Sequence, residues 1–410
     1  MRSGKALWGS VVLGCAALGV LACGSSDDGG GTGGAAAGGT SSGGQGGVAT
    51  GGTSSGGAAG SGTGASAGAG GGAGVGGAAG AGGGAGVGAA AGASGAGGSG
   101  GSGGSGKIGP LVVVTFNTGT SKDLNHDADK SDGYTDNEAK ISDQQYGNGL
   151  SWQTAVDGTK QWLAALKPDI IVFQELFHSA ECANIPSQFH KGFVCETWKS
   201  GDPTVVNVIL GSDYQVACHL DKPDKCAAVK KSVGSFVGCS GDLCLNGLDG
   251  AKIPNCGGGS RVGRGTIQLA SGGALSIVNV HGTSGFLPAD QLCRVKQVEH
   301  VFVDMDGKPA ANGTRNVVLG DLNTDPGRAT LLDLSAQRWN DFVGPGKKFQ
   351  FITAVGPTAL PTYNVLNIDH VMSDTFAGTC WHAGVSPGHP NVLNWTYFDH
   401  KPAVCTINEL

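Results

Sequence analysis

The sequence predicts an α/β fold, a sheet-on-sheet core with helices outside, and three observations predict it. Short apolar, β-branched runs recur at 111–116, 170–173, 204–210, 274–280 and 317–319. Two segments, 151–166 and 288–305, instead place apolar residues at helical spacing. The pair Gly272-Gly273 separates two apolar runs, as a hairpin requires.

Each element follows in chain order. Residues 111–116 form a buried strand, and the polar stretch 119–149, rich in Asp, Asn and Ser, reads as a long loop. From Ser151, placed as an N-cap, Trp152, Val156, Leu163 and Leu166 share one helical face until Pro168 ends the helix. Residues 170–173 are a second buried strand and 204–210 a third. The segment 216–259 holds five cysteines and many glycines and reads as stapled loops. Residues 266–269 and 274–280 form the hairpin, and 288–305 is a helix carrying Leu292, Val295, Val298, Phe302 and Met305. A buried strand at 317–319 and two last strands near 367–372 and 403–407 complete the set.

Composition divides the 410 residues sharply. Residues 1–23 carry Arg2 and Lys5, an apolar run at 6–22, then Cys23, the pattern of an export signal rather than a spanning helix. Val20-Leu21-Ala22-Cys23 resembles a bacterial lipobox, which implies a lipid anchor on Cys23; an incidental cysteine after an ordinary signal peptide is the alternative. Gly24 is not the aspartate that favours inner-membrane retention, so the outer membrane or cell surface is expected. Residues 24–106 are almost wholly Gly, Ala and Ser and bury too little apolar surface to offset their ordering entropy. They read as a disordered tether with a span of roughly 50 Å; no Gly-X-Y period supports collagen. Residues 107–410 are then one catalytic domain, expected as a monomer, with 24 Lys plus Arg against 30 Asp plus Glu. That acidic balance does not announce a nucleic-acid binder, although a bound cation and a local basic patch could serve one.

Ten cysteines lie in this domain, and an even number in an exported chain points to disulfides. Cys182/Cys195, Cys218/Cys226 and Cys239/Cys244 are close enough in sequence to clip loops, and Cys380 and Cys405 could tie the last strands; the connectivity stays open. Zinc is the competing use, but no C-x-x-C pair occurs.

Chemistry gathers where strands end. Asn117, Glu175, His281, Asp321 with Asn323, Asp369 with His370, and Asp399 with His400 each stand at or beside an apolar run. Singly these are turn residues. Together they are explained by convergence on one site, because charges beside buried strands are unfavourable unless paired or bound to a metal. The oxygen donors suit a hard cation such as magnesium or manganese. A cation, a carboxylate that activates water and proton-donating histidines are the requirements of phosphate-ester hydrolysis.

The segments VVVTFNTG, PDIIVFQEL, ALSIVNVHG, NVVLGDLNTDP, PTYNVLNIDHV and TYFDHKPAV stand in the order found in the endonuclease/exonuclease/phosphatase superfamily, which the domain therefore resembles from about 110 to 405. The resemblance implies a four-layer α/β/β/α sandwich of two packed mixed sheets flanked by helices. It implies Asn117 and Glu175 at a Mg2+ or Mn2+ ion, with Glu175 the principal ligand, and Asp399 supporting the metal or His400. Asp321 would activate water and Asn323 would hold the phosphate. His281 would stabilise the transition state or protonate the leaving group, His400 would be the other acid/base, and Asp369 would orient it. Val280-His281-Gly282 departs from the usual Thr-His-Leu, Phe398 replaces a serine, and Asn367 stands where an arginine is common.

The other candidates read more plainly. His370 is a packed core residue, and His178, His190, His219, His300, His382 and His389 have surface or loop roles. Trp339, Trp381 and Trp395 could line a cleft but suit core packing, and the acidic loop 123–143 is solvated rather than calcium-binding. The expected substrate is a phosphodiester, nucleic acid or phospholipid. A secreted nuclease stands first. A phospholipase C similar to bacterial sphingomyelinases is second, on Asp290-Gln291-Leu292-Cys293-Arg294 and Glu175-Leu176-Phe177; no long apolar hairpin for membrane insertion is seen. A sugar- or inositol-phosphate phosphatase and a non-catalytic surface module are the remaining readings. Arg261, Arg264 and Lys347-Lys348 are candidate phosphate contacts.

Overall fold

Alternation within the buried strands decides the layering, because neighbouring side chains of a strand point to opposite faces. The computed structural model describes residues 107–128, 132–393 and 397–410. The signal, Cys23, the tether, Asp129 and Trp395 lie outside the described residues.

The strands are β1 (Leu111–Asn117), β2 (Ile170–Gln174), β3 (Tyr214–His219), β4 (Cys226–Lys230), β5 (Gly234–Phe236), β6 (Leu243–Lys252), β7 (Ser260–Leu269), β8 (Ala274–His281), β9 (Asn316–Asp321), β10 (Gln350–Phe351), β11 (Asp369–Ser373), β12 (Phe376–His382) and β13 (Ala403–Glu409). The helices are α1 (Asp136–Tyr146), α2 (Gln153–Leu166), α3 (Val205–Leu210), α4 (Pro288–Phe302) and α5 (Leu334–Phe342). Hydrogen bonding runs along one path, β12-β13-β1-β2-β4-β3-β6-β7-β8-β9-β11-β10, with β5 on β7. The path folds back at β6, whose first half pairs parallel with β3 and whose second half pairs antiparallel with β7. Two mixed sheets result.

Three separate cores show how they stack. Val113, Ile170, Val172, Ala227 and Val229 meet Ile267, Leu275, Ile277, Val317, Leu319 and Val371 between the sheets. The alternate residues Val114, Phe116, Ile171, Phe173 and Val216 pack outward against Ala139, Val156, Leu163, Val206 and Ile209 of α1, α2 and α3. On the other side Val278, Val280, Val318 and Met372 cover Val298, Val301 and Trp339 of α4 and α5. Three apolar interfaces make four layers, the α/β/β/α sandwich.

Several expected elements differ. The expected strand 204–210 is instead helix α3 with Thr204 as its N-cap: Val205, Val206, Ile209 and Leu210 are buried at helical spacing. The expected loop 119–149 contains α1, whose start is fixed by a capping box between Thr135 and Glu138 and whose end is Gly147 at φ 58°. The segment 216–259 is largely strands β3 to β6 rather than loops. Helix α2 begins at Gln153, so Trp152 rather than Ser151 is its N-cap. Helix α4 buries Cys293, Arg294, Gln297, Val298 and Val301, which leaves Leu292 on its exposed side. Disulfides join Cys182–Cys195, Cys218–Cys226, Cys239–Cys244, Cys256–Cys293 and Cys380–Cys405. The last of these links the paired positions of β12 and β13.

Candidate active site

Topology brings the chemistry-bearing residues to one end of the sandwich. Parallel pairing aligns the carboxyl ends of β1 and β2, so Asn117 stands opposite Gln174 and next to Glu175. Parallel β8 and β9 place His281 opposite Asp321, and antiparallel β11 begins there with Asp369 opposite Asp321. Strand β13 runs antiparallel to β1, so Asp399 and His400, just before it, reach the same end. All eight expected site residues therefore lie at one end of the sheets.

A buried polar clasp holds the two sheets beneath this end. Gln174 Nε2 of β2 donates to Asn279 Oδ1 of β8 at 2.8 Å, and Asn279 Nδ2 donates to the carbonyls of Phe173 and Cys226. Sequence reading missed this pair, although Asn279 interrupts an apolar strand and a buried amide must be partnered.

Above the clasp lies one hydrogen-bonded network. Gly119 N–H donates to Asn117 Oδ1 at 2.9 Å, which turns Asn117 Nδ2 toward Glu175 Oε1 and Asp321 Oδ2, both at 3.1 Å. In this arrangement Asn117, expected beside a metal, serves the carboxylates as a donor. Asp321 also accepts the Asn323 N–H at 2.7 Å and Asn323 Nδ2 at 2.8 Å. Asn323 Nδ2 lies 3.0 Å from the Gly282 carbonyl as well. His281 Nε2 is 3.3 Å from Glu175 Oε1 and 3.8 Å from Asp321 Oδ2. Glu175 and Asn323 adopt φ of 58° and 50°, a left-handed backbone that non-glycine residues rarely take and that is held here by the surrounding contacts. Leu150 N–H and Thr118 Oγ1 donate to the Glu175 carbonyl, which anchors that turn.

The second half of the site centres on His400. Its Nδ1 is 2.9 Å from Asp369 Oδ2, and its Nε2 faces Asp321 Oδ2 at 3.9 Å. Thr362 Oγ1 accepts the Ile368 and Asp369 N–H groups, which fixes the start of β11. Burial disfavours a charged imidazole, but Asp369, Asp321 and Asp399 outweigh it and hold His400 well above the usual histidine range. Burial pushes Asp321 up to about 7, opposed by His400 and reinforced by Asp369. Asp399 is pushed up to about 6, by burial first and by Glu175 and Asp369 after the opposing His400.

These residues floor a cavity of about 80 Å³ lined by Glu175, Asp321, Asn323, Asp399 and His400. Its walls are Thr120, Ser121, Lys122 and Asp123 after β1, Ser284, Gly285 and Phe286 after β8, and Tyr363, Leu366 and Ile368 before β11. Lys122 and Tyr363 went unnoticed in the sequence. Lys122 pairs with Asp143 at 3.1 Å, and the Tyr363 ring lies 4.8 Å from that of His400.

A divalent cation fits this donor set. Asp369 Oδ1 and Asp399 Oδ1 are buried without a hydrogen-bond partner, and buried carboxylate oxygens call for a compensating charge. Asp321, Asp369 and His400 bring donor atoms within 4.8 Å of one another. Because Asp369 occupies His400 Nδ1, that trio is better suited to holding a proton, which leaves Glu175 and Asp399 as the oxygen donors for an ion.

Other expectations move. Arg264 is buried away from the cavity, its Nη2 on Asp249 Oδ2 at 2.8 Å, and Lys348 pairs with Asp374. Arg261 is buried and donates to the Gly282 carbonyl. His219, expected at the surface or in a loop, is fully buried on β3 with Nδ1 on the Ser260 carbonyl; His382 is buried on β12. His370 packs in the core between Thr353 and the Asn367 carbonyl, and Trp339 packs under α4. Trp381 stacks on His389, apart from the cavity. The acidic stretch is only partly solvated, since Asp132 is buried and Asp136 accepts the His126 N–H.

No family model and no curated protein matches the chain. Among solved structures it is similar to a humanized D. rerio TDP2, at 14% identity over 73% of this chain and 99% of that one, with a TM-score of 0.43. It is similar to the human Nocturnin catalytic domain with bound sulfate, at 13% identity over 74% and 94%, with a TM-score of 0.41. It is also similar to an endonuclease/exonuclease/phosphatase family protein from Bacteroides thetaiotaomicron, at 12% identity over 73% and 95%, with a TM-score of 0.40.

Proposed function

We propose that the protein is an exported, lipid-anchored, metal-dependent hydrolase of phosphodiesters. One observation carries the catalytic reading. Glu175, Asp321, Asp399 and His400 line one cavity, with His281 against Glu175 and Asp321 and Asp369 against His400. Repelling carboxylates so gathered are unfavourable unless a cation joins them.

Glu175 and Asp399 would hold Mg2+ or Mn2+, which when bound offsets the charge of the phosphate oxygens. The rest falls to the chain. Asn323, whose N–H groups are taken by Asp321 and the Gly282 carbonyl, fixes Asp321 rather than the phosphate, and His281 Nε2, beside Glu175 and Asp321, would donate to the phosphate as charge grows on it. Asp321, near neutral in proton affinity, takes a proton from the attacking water. As water oxygen bonds to phosphorus and the ester P–O bond breaks, His400 passes its Nε2 proton to the departing oxygen. Asp369 holds His400 in the tautomer and charge state this needs.

The test is turnover of bis(p-nitrophenyl) phosphate, plasmid DNA, RNA, choline phospholipids and small phosphomonoesters with magnesium or manganese. Hydrolysis of a diester, lost with chelator and in Asp321→Ala and His400→Ala, is expected. A well-folded protein that turns over none of them contradicts the reading. A nuclease was the first expectation from sequence. Of the candidate phosphate contacts, which suit any of these substrates, Arg264 is engaged by Asp249 and Lys348 by Asp374.

A further inference from the structure

We infer that the cavity mouth is built to sit on a lipid surface, so that the diester it takes is the headgroup of a membrane lipid. This rests on the phosphodiesterase reading of the same site.

Three loops of the cavity wall, and a fourth fastened to one of them, raise apolar side chains into solvent. Leu124 follows the wall residue Asp123, and Phe286 is itself wall, followed by Leu287 at 69% exposure. Val365, at 65%, lies between the wall residues Tyr363 and Leu366. Leu331 and Leu332 are 92% and 80% exposed. Gln291 fastens their loop to the Phe286 loop by donating to the carbonyls of Phe286 and Leu332 and accepting the Leu334 N–H. Leu331 and Leu332 thus stand on a loop fastened to one wall of the cavity.

Scattered exposed leucines are ordinary, but several gathered on the loops of one binding cavity mark what the cavity meets. Three observations choose a bilayer. The rim is continuous with the cavity through Phe286, so whatever wets one touches the other. Lys122 is the only Lys or Arg among the described wall residues, and it is paired with Asp143. A nucleic acid, whose phosphates need several cations along a track, finds little there. Six side chains on four loops are also far fewer than the roughly 20–30 residues a side of a stable protein interface. Apolar tips around a polar pocket match a lipid instead, with tips entering the headgroup boundary and one phosphate reaching the floor.

The experiment uses the chain from Gly24 onward, which lacks both the apolar run 6–22 and the cysteine that would carry an acyl anchor, and compares it with the same chain bearing Leu331→Ser and Leu332→Ser. Flotation with uncharged phosphatidylcholine vesicles should show binding that falls at least about tenfold in the variant. Hydrolysis of a choline phosphodiester lipid in vesicles should fall with it, while bis(p-nitrophenyl) phosphate is cleaved equally by both. Absent vesicle binding, equal rates on vesicles, or self-association that the substitutions abolish would overturn the inference. So would cleavage of plasmid DNA without cleavage of lipid. Failure on the soluble ester sinks the phosphodiesterase reading instead, and flotation reports on the rim independently of it.

Discussion

Gly119→Ala probes how tightly the site is built. Gly119 is buried with its N–H on Asn117 Oδ1, and a Cβ there would stand 2.9 Å from Glu175 Cδ and 3.1 Å from Asn117 Oδ1, with Glu175 Oε2 closer still. The Glu175 carboxylate would have to retreat by on the order of 1 Å to regain ordinary contact. That movement breaks its alignment with Asn117 and His281, and a 1 Å misplacement costs about 100-fold in rate, or ~3 kcal/mol of transition-state stabilisation. Stability should hold, because Gly119 has no left-handed backbone and alanine stiffens the unfolded chain. Gly109→Ala, which meets nothing within 4 Å, is the control. The assay is kcat/KM on bis(p-nitrophenyl) phosphate at saturating manganese, with Tm alongside. Gly119→Ala within about twofold of the parent would refute the placement of Glu175.

Other perturbations test separate parts. Asp369→Asn removes the largest of the charges that outweigh burial at His400, so kcat should fall at least about 100-fold with KM little changed; a shift confined to KM would place Asp369 in substrate binding. Cys256→Ala with Cys293→Ala opens a link spanning 37 residues, and a loss of about 4 kcal/mol is expected from chain entropy, read as a lower denaturant midpoint; an unchanged midpoint counts against the link. His219 is held down to about 3, by burial first and then by Lys225. Between there and its ordinary 6.5 the unfolded chain binds the extra proton, so stability falls as the pH drops through that window, by up to about 3 kcal/mol over two pH units. His219→Asn should flatten the fall in Tm between about pH 6.5 and 4.5, and an unchanged slope would contradict this.

What was legible in the sequence follows from where alternation is strong. Strands β1, β2, β8 and β9 are buried on both faces and read as continuous apolar runs. The motif residues at their ends came with them. Strand β6 is mostly exposed or half-buried and shows no period, so its pairing with both sheets could not be read. Helix α1 buries only Ala139, Ser142 and Tyr146, too little apolar surface for a helical stripe, although its capping box stood in the sequence. In α3 the β-branched content pointed to a strand while the i, i+1, i+4, i+5 burial followed a helix. The Gln174–Asn279 clasp and the apolar rim depend on segments distant in sequence meeting in space. Composition holds no trace of such encounters.

The most direct test of the central claim is calorimetric titration of the purified protein with Mn2+, beside a Glu175→Gln, Asp399→Asn double variant. Saturable binding by the parent, lost in the variant while its Tm without metal is kept or raised, is the result this account requires. Removing repelling carboxylates from a buried cluster should not destabilise the fold. Binding that survives both substitutions, or a parent that binds no cation, would contradict a catalytic metal at these carboxylates.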